Sequence, residues 1–216
     1  MIPHLTSLYF RTITDLIPII NPIAVALFFL TFVSAEDTRA INKASLILGI
    51  NIIIVLIIVL LAGEAVLKFF GLTVDYVRVV GGMLVFTMGW KMLNMEQTTK
   101  QIPGQIKALA ERLFYPITMP FAVGGGTLAV ILSIATFIDT NTFKENSLEN
   151  VAVILGIITT AIFVSLCCRF AQYIKKILGD GGVTIFMFVF AILILLIGVS
   201  IFWAGTSSLL TAVFMK

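Results

Sequence analysis

The sequence predicts an all-α polytopic membrane protein with six transmembrane helices. They form two inverted three-helix repeats in which helices one and four are broken. Three observations lead there. Of 216 residues, 60% are hydrophobic and 12% charged, with a mean hydropathy of +1.13. A soluble domain carries about 25% charged residues, so this chain has too little polar material to cover a water-facing surface. Six apolar runs of membrane-spanning length follow one another. Finally, PIINPIAV at 18–25 returns 98 positions later as PITMPFAV at 116–123, with five of eight positions identical, both prolines among them.

The runs lie at about 12–33, 45–62, 74–93, 114–138, 150–168 and 183–205. Each holds roughly 18–25 residues, which suits a bilayer core about 30 Å thick at 1.5 Å per helical residue. Helices are required because lipid offers backbone N–H and C=O groups no partners. Runs such as NIIIVLIIVLLA lack the alternation of a membrane β-strand. The tail 206–216 is too short for a seventh span. The N-terminus lacks a basic region leading into a short apolar core, so the first span is expected to be retained. The organisation expected is a first repeat at 1–93, a cytoplasmic linker at 94–112 and a second repeat at 113–216.

Charge sets the orientation. Lys and Arg concentrate on the cytoplasmic side of a membrane protein. The loops after spans one, three and five hold nine of the 14 basic residues, against five on the other face. Both termini are therefore expected outside, in the periplasm of a bacterium. The pI of 9.0 follows from these loops and calls for no nucleic acid.

The proline pairs carry the chemistry. Proline removes a backbone donor and crowds the carbonyl four residues back. It also pushes the residue before it towards extended conformations. Pro18 with Pro22, and Pro116 with Pro120, should each break a helix, and the freed carbonyls must then find protein or water. In the second copy the break runs into Gly124, Gly125 and Gly126, which permit unusual dihedrals and close approach. A half-helix is expected to start at Thr127 and to present a partial positive charge able to hold an anion or carboxylate. Three spans per half make the second half enter from the opposite side, as in the inverted repeats of secondary transporters. The two breaks should then face each other near mid-membrane.

Polar residues in or beside the spans complete the candidate set. Asn21 and Thr118 sit next to the breaks. Asn21 can cap the broken helix, ligate a solute or ion, or do both. Asp15, three residues before Pro18, is a proton or cation site if buried and a wet carboxylate if interfacial. Arg78 either snorkels outward or faces the cavity and pairs with Asp15 or Glu64. Asn51, inside span two, is expected to bond between helices, and Gly81, Gly82 and Gly89 to serve close helix packing. Trp90 and Trp203 fit the interfacial aromatic belt. His4 reads as an interfacial polar residue. Cys167 and Cys168 are neighbours that cannot easily bridge each other and read as small apolar residues. No metal site and no cofactor is expected.

Taken together, PIINPIAVALFFLTF, SAEDTRAINKASL, FFGLTVDYVRVVGGMLVFTMGWKML and RLFYPITMPFAVGGGTLAVIL resemble the MarC family of integral membrane proteins over nearly the whole chain. The resemblance implies a six-helix bacterial inner-membrane protein with both termini outside, and a distant likeness to LysE-type exporters of amino acids and other small solutes or ions. Two departures stand out. Family members often carry Gly-Pro-Gly where this chain has Gly124-Gly125-Gly126. They often repeat Arg-x-x-Gly in span six, where this chain reads IFMFVFAIL.

The function expected is a secondary transporter, an exporter of a small solute or ion by alternating access. It would use Asn21, Pro22, Thr118, Pro120, Gly124–Gly126 and Thr127, with Asp15 as a coupling-ion site and Arg78 as a further candidate. No GxxxxGK[ST] loop is present to bring ATP. No HExxH, GxSxG, His pair or carboxylate cluster supports an enzyme. The alternative is a structural or regulatory membrane protein without flux. The partners expected are membrane lipid and the small solute, and the class leaves room for a homo-oligomer.

Overall fold

Long apolar runs become long helices. A computed structural model describes residues 2–30, 32–33, 38–94, 109–135 and 143–214. Its elements are α1 (Ile2–Ile20), α2 (Pro22–Phe29), α3 (Thr38–Phe69), α4 (Val74–Leu93), a short α5 (Leu109–Arg112) that leads into a wide-turned segment (Leu113–Ala122), α6 (Gly125–Ala135), α7 (Phe143–Arg169) and α8 (Ala171–Phe214). No strand occurs among the described residues. Most of the linker expected at 94–112 lies outside them.

Three helical stretches are long and apolar enough to cross a membrane: Thr38–Gly63, Leu148–Arg169 and Gly181–Phe214. A fourth crossing results if α1 and α2, bent by 43° at Asn21, are taken as one broken span. The helices overrun the expected boundaries. α3 starts at Thr38 and continues to Phe69. The C-terminal tail is not a separate segment, because α8 continues through it to Phe214. Gly179, at φ 62° and ψ 173°, divides α8 into a short first piece and a 34-residue helix from Gly181. Those angles are open to glycine and strained for other residues.

Contacts between helices fix their directions. His4 meets Glu149 at 2.8 Å and Tyr9 meets Thr159 at 3.1 Å, so α1 and α7 run parallel. Arg78 reaches Ser133 at 2.8 Å, while Leu84 and Val85 lie against Gly125 and Gly126, so α4 and α6 run antiparallel. α4 and α8 are also antiparallel and form the most extensive pairing in the molecule. Gly89 faces Ala191, Gly82 faces Gly198, and Gly205 faces Asp75. At Gly82 a Cβ would lie 2.7 Å from the Gly198 carbonyl oxygen; at Gly198 it would lie 2.9 Å from that of Gly82. Only glycine at both positions lets the two backbones approach this closely, the small-residue packing that replaces hydrophobic drive in lipid.

The largest apolar cluster joins α1, α2, α3, the wide-turned segment, α6 and α7, with Leu16, Ile20, Phe29, Leu48, Ile52, Leu56, Ile117, Ile131 and Ile157 buried in it. Among the described residues α4 contributes none to this cluster, and α8 only Ala171 at its start. The α4–α8 pair therefore stands beside the core. Its outer faces, including Phe86, Trp90, Phe188 and Trp203, are exposed, as lipid-facing side chains are in a membrane protein.

Candidate functional site

The two proline-marked breaks take different forms. In the first copy Pro18 is absorbed: α1 runs through it to Ile20, and the Asn21 N–H still bonds the Ile17 carbonyl at 3.0 Å. The break falls on Asn21 alone, which adopts the left-handed conformation (φ 51°, ψ 74°). Asparagine tolerates this region better than most residues. Pro22 then occupies the first helical position, where a missing N–H costs nothing. The Asn21 Oδ1 accepts from the Ala24 N–H at 3.2 Å and caps α2.

In the second copy both prolines act. Tyr115 (φ −126°, ψ 120°) and Met119 (φ −116°, ψ 126°) are extended, and each immediately precedes a proline, as the clash with the proline ring requires. Carbonyls around this break are taken up five residues on. The Val123 N–H bonds the Thr118 carbonyl at 2.8 Å, the Thr118 hydroxyl bonds the Leu113 carbonyl at 2.8 Å, and the Thr127 hydroxyl bonds the Ala122 carbonyl at 3.1 Å. α6 begins at Gly125, two residues before the expected Thr127. Gly124, Gly125 and Gly126 do not use positive φ; among the described residues only Gly71 and Gly179 are glycines that do. Close approach explains Gly125 and Gly126 instead: Leu84 and Val85 occupy the space their side chains would fill.

The breaks meet. A Cβ on Gly126 would lie 3.5 Å from Ile19, two residues before Asn21. Phe28 of α2 stacks on Phe121 with ring centroids 4.3 Å apart. Asn51 of α3 reaches the Thr118 hydroxyl with its Nδ2 at 3.5 Å, a long bond that ties α3 to the second break. Asn21, Pro22, Thr118, Gly126 and Thr127 are all buried.

One polar atom in this group is left over. Asn21 is 3% exposed, and its Nδ2 has no hydrogen-bond partner. A buried donor left unsatisfied costs about 1–3 kcal/mol. The Oδ1 bond to Ala24 decides which arm of the carboxamide is which, so the unpartnered arm is a donor.

The other candidates lie elsewhere. Asp15 is on a partly exposed face of α1, 3.5 Å from Arg11. Arg78 does not pair with Asp15, and the side chain of Glu64, the other partner expected, lies outside the described residues. The Arg78 Nη1 meets Asp75 at 2.7 Å and its Nε donates to Ser133 at 2.8 Å, at the end of α6 away from Gly125. Asp75 also accepts from Ser208 of α8 at 2.8 Å. This polar cluster ties α4 to α6 and α8. Sequence reasoning missed it, although Asp75 and Arg78 stand three apart, the spacing of neighbours on one helix face. It also missed Glu149, buried and bonded to His4. Among the described residues no group of three or more His, Cys, Asp or Glu side chains could hold a metal ion.

Comparison with known proteins places the chain among integral membrane proteins. The model of the MarC family of integral membrane proteins matches residues 6–210. The chain belongs to the MarC family. Relatives include a UPF0056 membrane protein of Buchnera aphidicola, 25% identical over 207 residues and 95% of each chain. Another is the UPF0056 membrane protein YhcE of Escherichia coli K12, 22% identical over 205 residues and 91% of each chain. A third is the UPF0056 inner membrane protein MarC of Salmonella typhimurium, 25% identical over 177 residues, 78% of this chain and 80% of that one. No solved structure matches. For a MarC-family chain the resemblance read from the proline and glycine motifs thus holds over nearly its full length.

Proposed function

We propose that this MarC-family protein is a secondary transporter of the inner membrane that exports a small solute by alternating access. In this reading the chain crosses the membrane six times, as two inverted three-helix repeats with both termini on the periplasmic side. α1–α2 and the segment ending in α6 are the broken spans. The antiparallel α4–α8 pair and the parallel α1–α7 pair support that alternation. The observation that carries the transport reading is the buried junction of two broken helices, with a spare amide donor on Asn21. Irregular backbone at membrane depth is expected where it lines a binding site or cavity.

Replacing Asn21 by Gly, which keeps the left-handed backbone and removes the side chain, should abolish solute flux while leaving the folded yield in membranes nearly normal. Flux is measured by a metabolite-accumulation screen in cells with and without the protein, followed by uptake into vesicles. Flux that survives the substitution would confine Asn21 to capping. The second reading, a structural or regulatory membrane protein, draws on the complete burial of Thr118 and the near-complete burial of Thr127: the centre is closed as it stands. A protein that moves no solute in the screen supports that reading.

A further inference from the structure

We infer that the junction of the two breaks recognises its solute through a compact, negatively charged hydrogen-bond acceptor, a carboxylate or an inorganic anion, to which the Asn21 Nδ2 donates. The inference deepens the transport reading and rests on it. Its first support is the leftover donor itself, on a residue 3% exposed whose Oδ1 is already engaged by Ala24. Its second is the local field. α6 begins here, with Gly126 against Ile19, and a helix start carries free N–H groups and partial positive charge.

The third support is the placement of the carboxylates. A cation held at the junction would need an acidic oxygen to balance it. Asp15 lies on a partly exposed face beside Arg11, Asp75 is bonded to Arg78 and Ser208, and Glu149 is bonded to His4 where α1 and α7 begin. Among the described carboxylates, these three are each engaged by another side chain. The nearby hydroxyl protons of Thr118 and Thr127 are directed at the carbonyls of Leu113 and Ala122. Among the described residues the one buried side chain left unsatisfied is a donor, and the start of α6 beside the junction favours an anion.

The test measures thermal unfolding of the purified full chain in lipid nanodiscs. Potassium acetate and potassium chloride are titrated separately at constant ionic strength, with potassium gluconate as the bulky counterpart. A potassium-to-sodium exchange serves as the cation arm. The wild type should show a saturable rise in midpoint with acetate (a carboxylate site) or with chloride (an inorganic-anion site). Asn21→Asp keeps the capping oxygen and tolerates the left-handed backbone but replaces the donor by an acceptor. Asn21→Gly keeps the backbone and removes the side chain. Both variants should bind the effective anion about tenfold more weakly or worse. The proposal is overturned by the absence of any anion effect on the folded wild type, by an equal effect in a folded Asn21→Asp or Asn21→Gly protein, or by a rise that follows the cation. Anion binding without flux would sink transport and leave this site standing. Flux of a cationic solute with no anion effect would do the reverse.

Discussion

Substituting Gly82 by Ala isolates the packing that holds α4 to α8. The added Cβ would lie 2.7 Å from the Gly198 carbonyl oxygen and 2.7 Å from the Phe202 Cα, where ordinary contact is 3.4–4 Å. Both obstacles are backbone, so no side chain can swing away. The helices must part by roughly 1 Å, enough to forfeit a quarter to a half of each dispersion contact along the seam. Overpacking of this kind costs about 1–3 kcal/mol. The equilibrium between the packed and opened helix pair should thus move about tenfold for each 1.4 kcal/mol. Gly181→Ala is the control: it lies in the same helix, nothing stands within 4 Å of its Cβ, and its φ is not positive. It should be neutral, or stabilising by at most about 1 kcal/mol. Unfolding by sodium dodecyl sulfate in mixed micelles, followed by far-UV circular dichroism and by pairing of cysteines placed across α4 and α8, reads both. If Gly82→Ala unfolds at the same detergent fraction as Gly181→Ala, the close backbone approach contributes nothing and the reasoning fails.

Gly126→Val should press a branched side chain into the space held by Val85 and towards Ile19, lowering the unfolding midpoint and any flux together, whereas Gly71→Asn, with nothing near its Cβ and a φ that Asn tolerates, should leave both nearly unchanged. Accessibility of single cysteines to an impermeant maleimide in intact cells and in inverted vesicles checks the crossings. Positions 3 and 213 should label from the periplasmic side and position 100 from the cytoplasmic side, and any other pattern removes the six-crossing arrangement.

How much of this was legible in the sequence depends on which physics wrote it. Composition and run length are enough to read helices and a membrane, because lipid tolerates little else. They do not set helix ends: α3 and α8 overrun because nothing at Thr38 or beyond Trp203 stops a helix, and length in water is not limited by bilayer thickness. The proline duplication located both breaks, and the pre-proline rule describes Tyr115 and Met119 correctly. It overreached at Pro18, where Ile17 stays helical and the break moves to Asn21. The dual role read for Asn21 is half visible: its oxygen caps, and its nitrogen waits. The partners of Arg78 could not be read because they depend on how α4, α6 and α8 dock, and a sequence lists side chains without their distances. The same holds for the reciprocal approach of Gly82 and Gly198, which lie 116 positions apart.

The backbone angles of Asn21 narrow what this position can become. Glycine would keep the bend and leave the junction bare; aspartate would keep the bend and turn a giver of hydrogen bonds into a taker. Most other side chains would resist the left-handed turn itself. In the proposed site, shape and recognition would thus rest on one residue, and a change that retunes what the junction accepts can hardly leave the elbow between α1 and α2 untouched.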